Sequence, residues 1–232
     1  MKLLIKFPTR QRKNRFFDAM DYLLTALRRP EDVSILLTLD TDDESMNNEE
    51  VQNQIAFYDS FYPTSFLTVY GESRNKIHAC NRDIELVEEP WDVLLLFSDD
   101  MFPKAIGFDK TILGKFETEI QDTDGVLYTP DGYTPLNTLC ILGKKYYDRF
   151  GYIYYPGYES FFCDNEFMEV SQLLKKEFRL PKVLFKHEHP CNNARIKSDA
   201  LYDRNNYSWD KDKQLYIDRR AIFYNIMPKG LE

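Results

Sequence analysis

The feature that most constrains this chain is the run Trp91-Asp92-Val93-Leu94-Leu95-Leu96-Phe97, which breaks at once into Ser98-Asp99-Asp100-Met101-Phe102-Pro103. An apolar stretch too short for an ordinary helix and stopped by Ser, Asp and Pro predicts a central strand buried on both faces. Such strands belong to open α/β sheets, where ligands bind outside the carboxyl ends of the strands. Asp99 and Asp100 stand there. A hard divalent cation takes oxygen ligands of this kind; two adjacent acids also serve simply to end a strand and open a solvated turn.

The segments before this run alternate in the way such a sheet requires. Residues 3–7 predict a first strand and 16–27 a helix with apolar residues at helical spacing. Residues 33–39 predict a second strand that also ends in acid, Asp40-Thr41-Asp42-Asp43-Glu44. A helix over 49–61 and a strand over 66–70 follow. Ser73 is then placed to cap a helix carrying Ile77, Cys80, Ile84 and Val87. This order predicts a mainly parallel sheet with right-handed crossovers and helices on both faces, a three-layer α/β/α arrangement.

Beyond Pro103 the pattern becomes less regular. Residues 109–120 predict a helix, 125–128 a strand, 129–135 a turn-rich loop and 136–142 a further strand. The aromatic stretch Phe150-Gly151-Tyr152-Ile153-Tyr154-Tyr155-Pro156-Gly157-Tyr158 reads as a loop lining something. A helix opens at Cys163-Asp164-Asn165-Glu166, Val183-Leu184-Phe185 leads into Lys186-His187-Glu188-His189, residues 192–208 are polar, and 209–226 form a helical tail. The chain therefore reads as a single domain of two halves, 1–103 and 104–232.

Composition removes several classes. Thirty Lys plus Arg against 38 Asp plus Glu give a formal net charge of −8, which argues against a duplex nucleic-acid binder held by phosphate neutralisation. The cysteines Cys80, Cys140, Cys163 and Cys191 show no C-x-x-C spacing, so neither a zinc ribbon nor a redox pair is indicated, and free thiols of a reducing cytoplasm are expected. No apolar run approaches membrane-spanning length and the amino-terminal apolar stretch is too short for a signal peptide, so a cytoplasmic protein with no integral membrane segment is expected. Neither the G-x-G-x-x-G nor the P-loop signature is present, which disfavours an NAD-dependent enzyme and a P-loop ATPase.

Taken in order, a strand with Pro8-Thr9-Arg10, a strand ending at Asp40, Arg74 before a helix, Ser98-Asp99-Asp100 after the central strand, Asp164-Asn165-Glu166 and a late His-x-His resemble the GT-A-fold glycosyltransferases, family 2-like. The resemblance implies a Rossmann-like fold whose first half binds a nucleotide-sugar and whose second half binds a carbohydrate or other hydroxyl acceptor. In that family an acidic D-x-D motif holds Mn2+ or Mg2+ against the donor diphosphate; here it reads Ser98-Asp99-Asp100.

Carried onto this sequence, the resemblance implies Asp100 as metal ligand, completed by His187 or His189. It implies donor contacts from Thr9, Arg10, Asp40, Arg74 and Asp99, with Lys76 as a weaker candidate. Asp164 is the implied base for the acceptor hydroxyl, with Glu166 in reserve, in an inverting displacement from a UDP-sugar. The alternative role of Asp164 is to cap its helix. Two other readings stand beside this one. A sugar-nucleotide nucleotidyltransferase has a similar sheet but carries glycines after the first strand, where this chain has Phe7-Pro8-Thr9-Arg10-Gln11-Arg12. A non-catalytic nucleotide- or glycan-binding protein is suggested by Ser98 in place of the first acid.

Overall fold

The computed structural model describes residues 1–188 and 206–226; His189, Cys191 and most of the polar segment after it lie outside them. The strands are β1 (Leu3–Thr9), β2 (Val33–Asp40), β3 (Ser65–Gly71), β4 (Val93–Leu96), β5 (Met101–Pro103), β6 (Val126–Tyr128), β7 (Ile141–Gly143), β8 (Glu177–Arg179) and β9 (Phe185–His187). The helices are α1 (Lys13–Ala26), α2 (Glu49–Phe61), α3 (Lys76–Asn81), α4 (Phe108–Glu119), α5 (Lys144–Asp148), α6 (Cys163–Leu173) and, near the carboxyl end, α7 (Trp209–Ala221).

Seven strands form one sheet in the order β3-β2-β1-β4-β7-β6-β8. The first four are mutually parallel, and β7 runs antiparallel between β4 and β6. β1 is buried on both faces, so its side chains sort by period two. Leu3, Ile5 and Phe7 join the core under α1, α2 and α4, whereas Leu4 joins Leu36, Leu94 and Leu96 in the core under α3 and α6. Full burial of each such side chain stabilises by roughly 1.5–3 kcal/mol. Among the described residues no helix is long and apolar enough to cross a membrane.

The structure departs from the sequence expectations at several points, each with a local cause. The helix expected to run on to Val87 stops at Asn81, because Asp83 adopts a left-handed conformation (φ 74°) before a short 3-10 turn at Ile84–Leu86. Ser73 does not cap it. Asn75 does, accepting a hydrogen bond from His78 N at 2.8 Å, while Ser73 Oγ accepts from Arg82 Nε. The strand expected over 136–142 is reduced to β7; in the stretch before it Asp131 takes the hydrogen bonds of Tyr133 N, Thr134 N and Thr138 Oγ1 in place of a ladder. β8 has no counterpart among the sequence expectations; only three residues long and partly exposed, it lacks an apolar run.

A second, two-stranded sheet matters most for function. β5 pairs antiparallel with β9 so that Met101 faces His187, and Glu188 N donates to the Asp100 carbonyl at 2.7 Å. This ribbon carries a residue from late in the chain to the end of the central strand.

Candidate active site

β4 ends in a tight turn, with Met101 N donating to the Ser98 carbonyl at 3.1 Å, and the turn presents Asp99 and Asp100 at its corner. Ser98 Oγ donates a short hydrogen bond to Asp100 Oδ1. Asp100 Oδ2 faces His187 Nε2 at 3.6 Å. The serine that replaces the expected first acid thus ties down one oxygen of Asp100 and directs the other toward the histidine. Burial opposes ionisation of Asp100, but His187, Ser98 and Lys76 outweigh it and hold the carboxyl far below the usual range. Burial likewise opposes charge on His187, and Asp100 and Asp131 overcome it, raising the imidazole to about 9.

A carboxylate oxygen and an imidazole nitrogen at this separation fit as two donors to one Mn2+ or Mg2+ ion. Among the described residues no cluster of three His, Cys, Asp or Glu side chains could hold a metal. The remaining positions of such an ion would fall to water and to substrate phosphate oxygens, as is usual for Mg2+.

Asp99 points the other way, accepting from Arg12 Nη1 at 3.0 Å. Burial and the neighbouring Asp100 charge push it up to about 6, against the pull of Arg12 and Arg15. The folded protein therefore binds a proton at Asp99 more tightly than the unfolded chain, whose carboxyl titrates near 3.8. The stability this contributes is complete below that value and is lost as pH rises through 6. Wild-type stability relative to Asp99→Asn should fall by roughly 2 kcal/mol between pH 4 and pH 7; urea unfolding at the two pH values measures it, and a flat difference would contradict the assignment.

The ends of β1, β2 and β3 form the neighbouring part of the cleft. Strand register places Thr9, Leu39 and Tyr70 in one row and Asp40 beside Gly71 in the next. Arg10 is held by Asp40 at 2.8 Å and by both oxygens of Asp42 at 2.6 and 2.8 Å. Yet Thr9 Oγ1 and Arg10 Nε are buried without a hydrogen-bond partner, and Asp40 Oδ1 faces only the Arg82 guanidinium, 3.5 Å away. Leaving such groups unpaired costs about 1–3 kcal/mol each, so Thr9 and Arg10 at one sheet edge mark a place where a polar ligand would restore the bonds.

Beneath this edge lies a network that the sequence reading missed. Arg82 donates to Asp83 at 2.9 and 3.0 Å and to the Leu39 carbonyl at 2.7 Å, and stands 3.5 Å from Asp40 Oδ1. Lys6 is completely buried, bonded to Thr38 and to the Arg82 carbonyl, and desolvation lowers it to about 8. A Cβ at Gly71 would meet the Arg82 guanidinium, so a larger residue there would push Arg82 out of these bonds. A lysine interrupting the apolar face of β1 was the available signal.

Across the cleft, α6 begins at Phe162, a non-glycine residue at φ 60° with no side-chain cap. Asp164 therefore does not cap the helix; it lies in the first turn and accepts from Asn165 N at 2.9 Å. The side chain is partly exposed, yet protein surrounds it closely enough for burial to raise its carboxyl above the usual range, against the pull of Lys76 and His187. The charge of Lys76, itself exposed in the cleft, acts on both Asp100 and Asp164.

The structure does not bring all the candidates together. Glu166 turns away from the cleft into a buried pair with Arg219, at 2.6 and 2.7 Å, and accepts from Tyr158 Oη at 2.8 Å. Tyr158 and Tyr154 are core residues, and Tyr155 stacks on the Arg219 guanidinium at 3.3 Å. Arg74 is exposed and lines a polar cavity of about 360 Å3 with His78, Asn81, Glu159 and Lys211.

The strand order, the antiparallel β7 and the acidic turn after β4 define a GT-A-type α/β fold, as the sequence resemblance implied. Solved structures share it, among them the following two. The mannosyltransferase PcManGT from Pyrobaculum calidifontis, in complex with GDP-Man and Mn2+, superposes with a TM-score of 0.66 at 12% identity, over 98% of this chain and 66% of that one. Residues 1–349 of TarS from S. aureus, in complex with UDP-GlcNAc, give 0.62 at 13% identity, over 87% of this chain and 61% of that one. The chain thus spans about two thirds or less of their length. No family model and no curated protein matches the sequence.

Proposed function

We propose that this chain is a glycosyltransferase that moves a sugar from a nucleotide-sugar, with UDP as the nucleotide, to a hydroxyl acceptor by a single inverting displacement. The observation that carries the reading is the convergence in one cleft of the Asp100–His187 pair and a carboxylate, Asp164, whose proton affinity is raised. The GT-A-type fold supports it, as do the solved glycosyltransferases of that fold described above.

In this reading residues 1–103 form the donor half. Thr9 and Arg10 supply unpaired polar atoms and Asp40 a carboxylate for base and ribose, Arg82 and Lys6 hold the strand ends that carry them, and Asp99 meets the ribose or the sugar. Asp100 and His187 would hold Mn2+ or Mg2+, which when bound neutralises the charge developing on the departing diphosphate. Lys76 adds a cation on the same side of the cleft. Asp164, in the acceptor half 104–232, takes the proton of the acceptor hydroxyl as that oxygen attacks the anomeric carbon and the diphosphate leaves. A carboxyl raised above its usual range is a better base for this step than an ordinary surface carboxylate.

Asp100→Ala tests the donor side. Mn2+-dependent UDP binding, followed by calorimetry, should weaken by at least the roughly 10–100-fold that loss of a mere supporting contact costs at a metal site. Metal-dependent binding equal to wild type would remove Asp100 from the site.

A further inference from the structure

The carboxylate on the far side of His187 has no part in the reading above. Asp131 lies in the turn-rich loop before β7, is 2% exposed, and places Oδ2 3.9 Å from His187 Nδ1. Its Oδ1 accepts from Tyr133 N at 2.8 Å and Thr134 N at 3.0 Å, and its Oδ2 accepts from Thr138 Oγ1 at 3.0 Å. These bonds fix the carboxylate rigidly, while Oδ2 keeps a lone pair for the imidazole. His187 is thus held between two acids, with Nε2 toward Asp100 and Nδ1 toward Asp131.

We infer that Asp131 is a positioning residue that keeps the proton of His187 on Nδ1, so that the Nε2 lone pair faces the ion shared with Asp100. An imidazole binds a metal only through an unprotonated nitrogen, and the contact made by its other nitrogen decides which one that is. β9 fixes the histidine backbone through its pairing with β5, but backbone pairing leaves the ring free to turn about its side-chain bonds. A carboxylate anchored by three donors 3.9 Å from Nδ1 favours the ring orientation that turns Nε2 toward Asp100. The inference rests on the proposed metal pair and adds the residue that makes the histidine a ligand.

Asp131→Asn tests it, because the remaining carbonyl oxygen can keep the Tyr133 and Thr134 contacts while the amide nitrogen presents a donor to Nδ1. Mn2+ affinity of the UDP complex, read by electron paramagnetic resonance, should fall about 10–100-fold, with metal-free UDP binding unchanged. In a His187→Ala background the same substitution should have almost no further effect. An unchanged affinity, or an equal loss in both backgrounds, would overturn the inference in favour of a purely loop-holding role.

A measurement on the wild type does not depend on the variant folding. In the UDP–Mg2+ complex, 15N resonances should place the His187 proton on Nδ1; a proton on Nε2 overturns the assignment. A wild-type UDP complex that takes up neither ion would instead bring down the metal reading itself, and this inference with it.

Discussion

Asp164→Asn should lower sugar transfer about 10²–10⁴-fold, the range by which a positioned base accelerates proton transfer, while UDP and Mn2+ bind as in the wild type. The amide is nearly isosteric and can still accept the Asn165 N–H bond, so the first turn of α6 should survive. What disappears is the ability to take a proton. Asp164 is suited to this test because it makes no ion pair within the described residues and does not cap its helix. Steady-state turnover with a competent acceptor, measured beside calorimetric donor binding, separates the roles. Full retained turnover would exclude Asp164 as the base.

The second large effect concerns Glu166, two residues along the same helix, and its direction is different. Glu166→Ala should destabilise the fold by about 3–5 kcal/mol, because it strands the Arg219 guanidinium in a buried site. The cation would lose both bonds to the carboxylate while still packed on Tyr155. Equilibrium urea unfolding measures this. Replacing Glu166 and Arg219 together by apolar residues of similar volume should recover much of the loss, since the pair as a whole contributes little net stability once its desolvation is counted. A Glu166→Ala protein as stable as wild type, yet inactive, would reverse the assignment and put Glu166 in the chemistry.

The contrast between these two acids shows what a sequence can disclose. Their spacing in Cys163-Asp164-Asn165-Glu166 places both in the first turn of a helix, and that was legible. Which of them faces the cleft depends on Arg219, which arrives from a helix more than fifty positions later, and no local pattern announces that partner. The first four strands and the acids that end two of them, at Asp40 and at Asp99-Asp100, were legible because period and burial are properties of short windows. Asp131 and Arg82 were not. One looks like an ordinary turn aspartate and the other like a surface arginine within a helix, until the loop and the strand ends close over them. Lys6 gave the one clear warning, a charge on a strand face that is otherwise apolar.

The two-stranded ribbon of β5 and β9 sets an order on how the site comes into being. The donor edge is built by β1, β2 and β4, all from the first hundred residues, with Leu3 of β1 beside both Val33 of β2 and Val93 of β4. The Asp100–His187 pair requires the chain to return across more than eighty intervening positions before Met101 and His187 can meet. That closure is about as long as the one that sets β4 beside β1, but it needs residues synthesised after the donor edge is complete. A chain still emerging would already carry its nucleoside edge and would still lack the histidine beside Asp100. In the proposed reading, the ability to hold an ion against a diphosphate is therefore acquired only once β9 has joined β5.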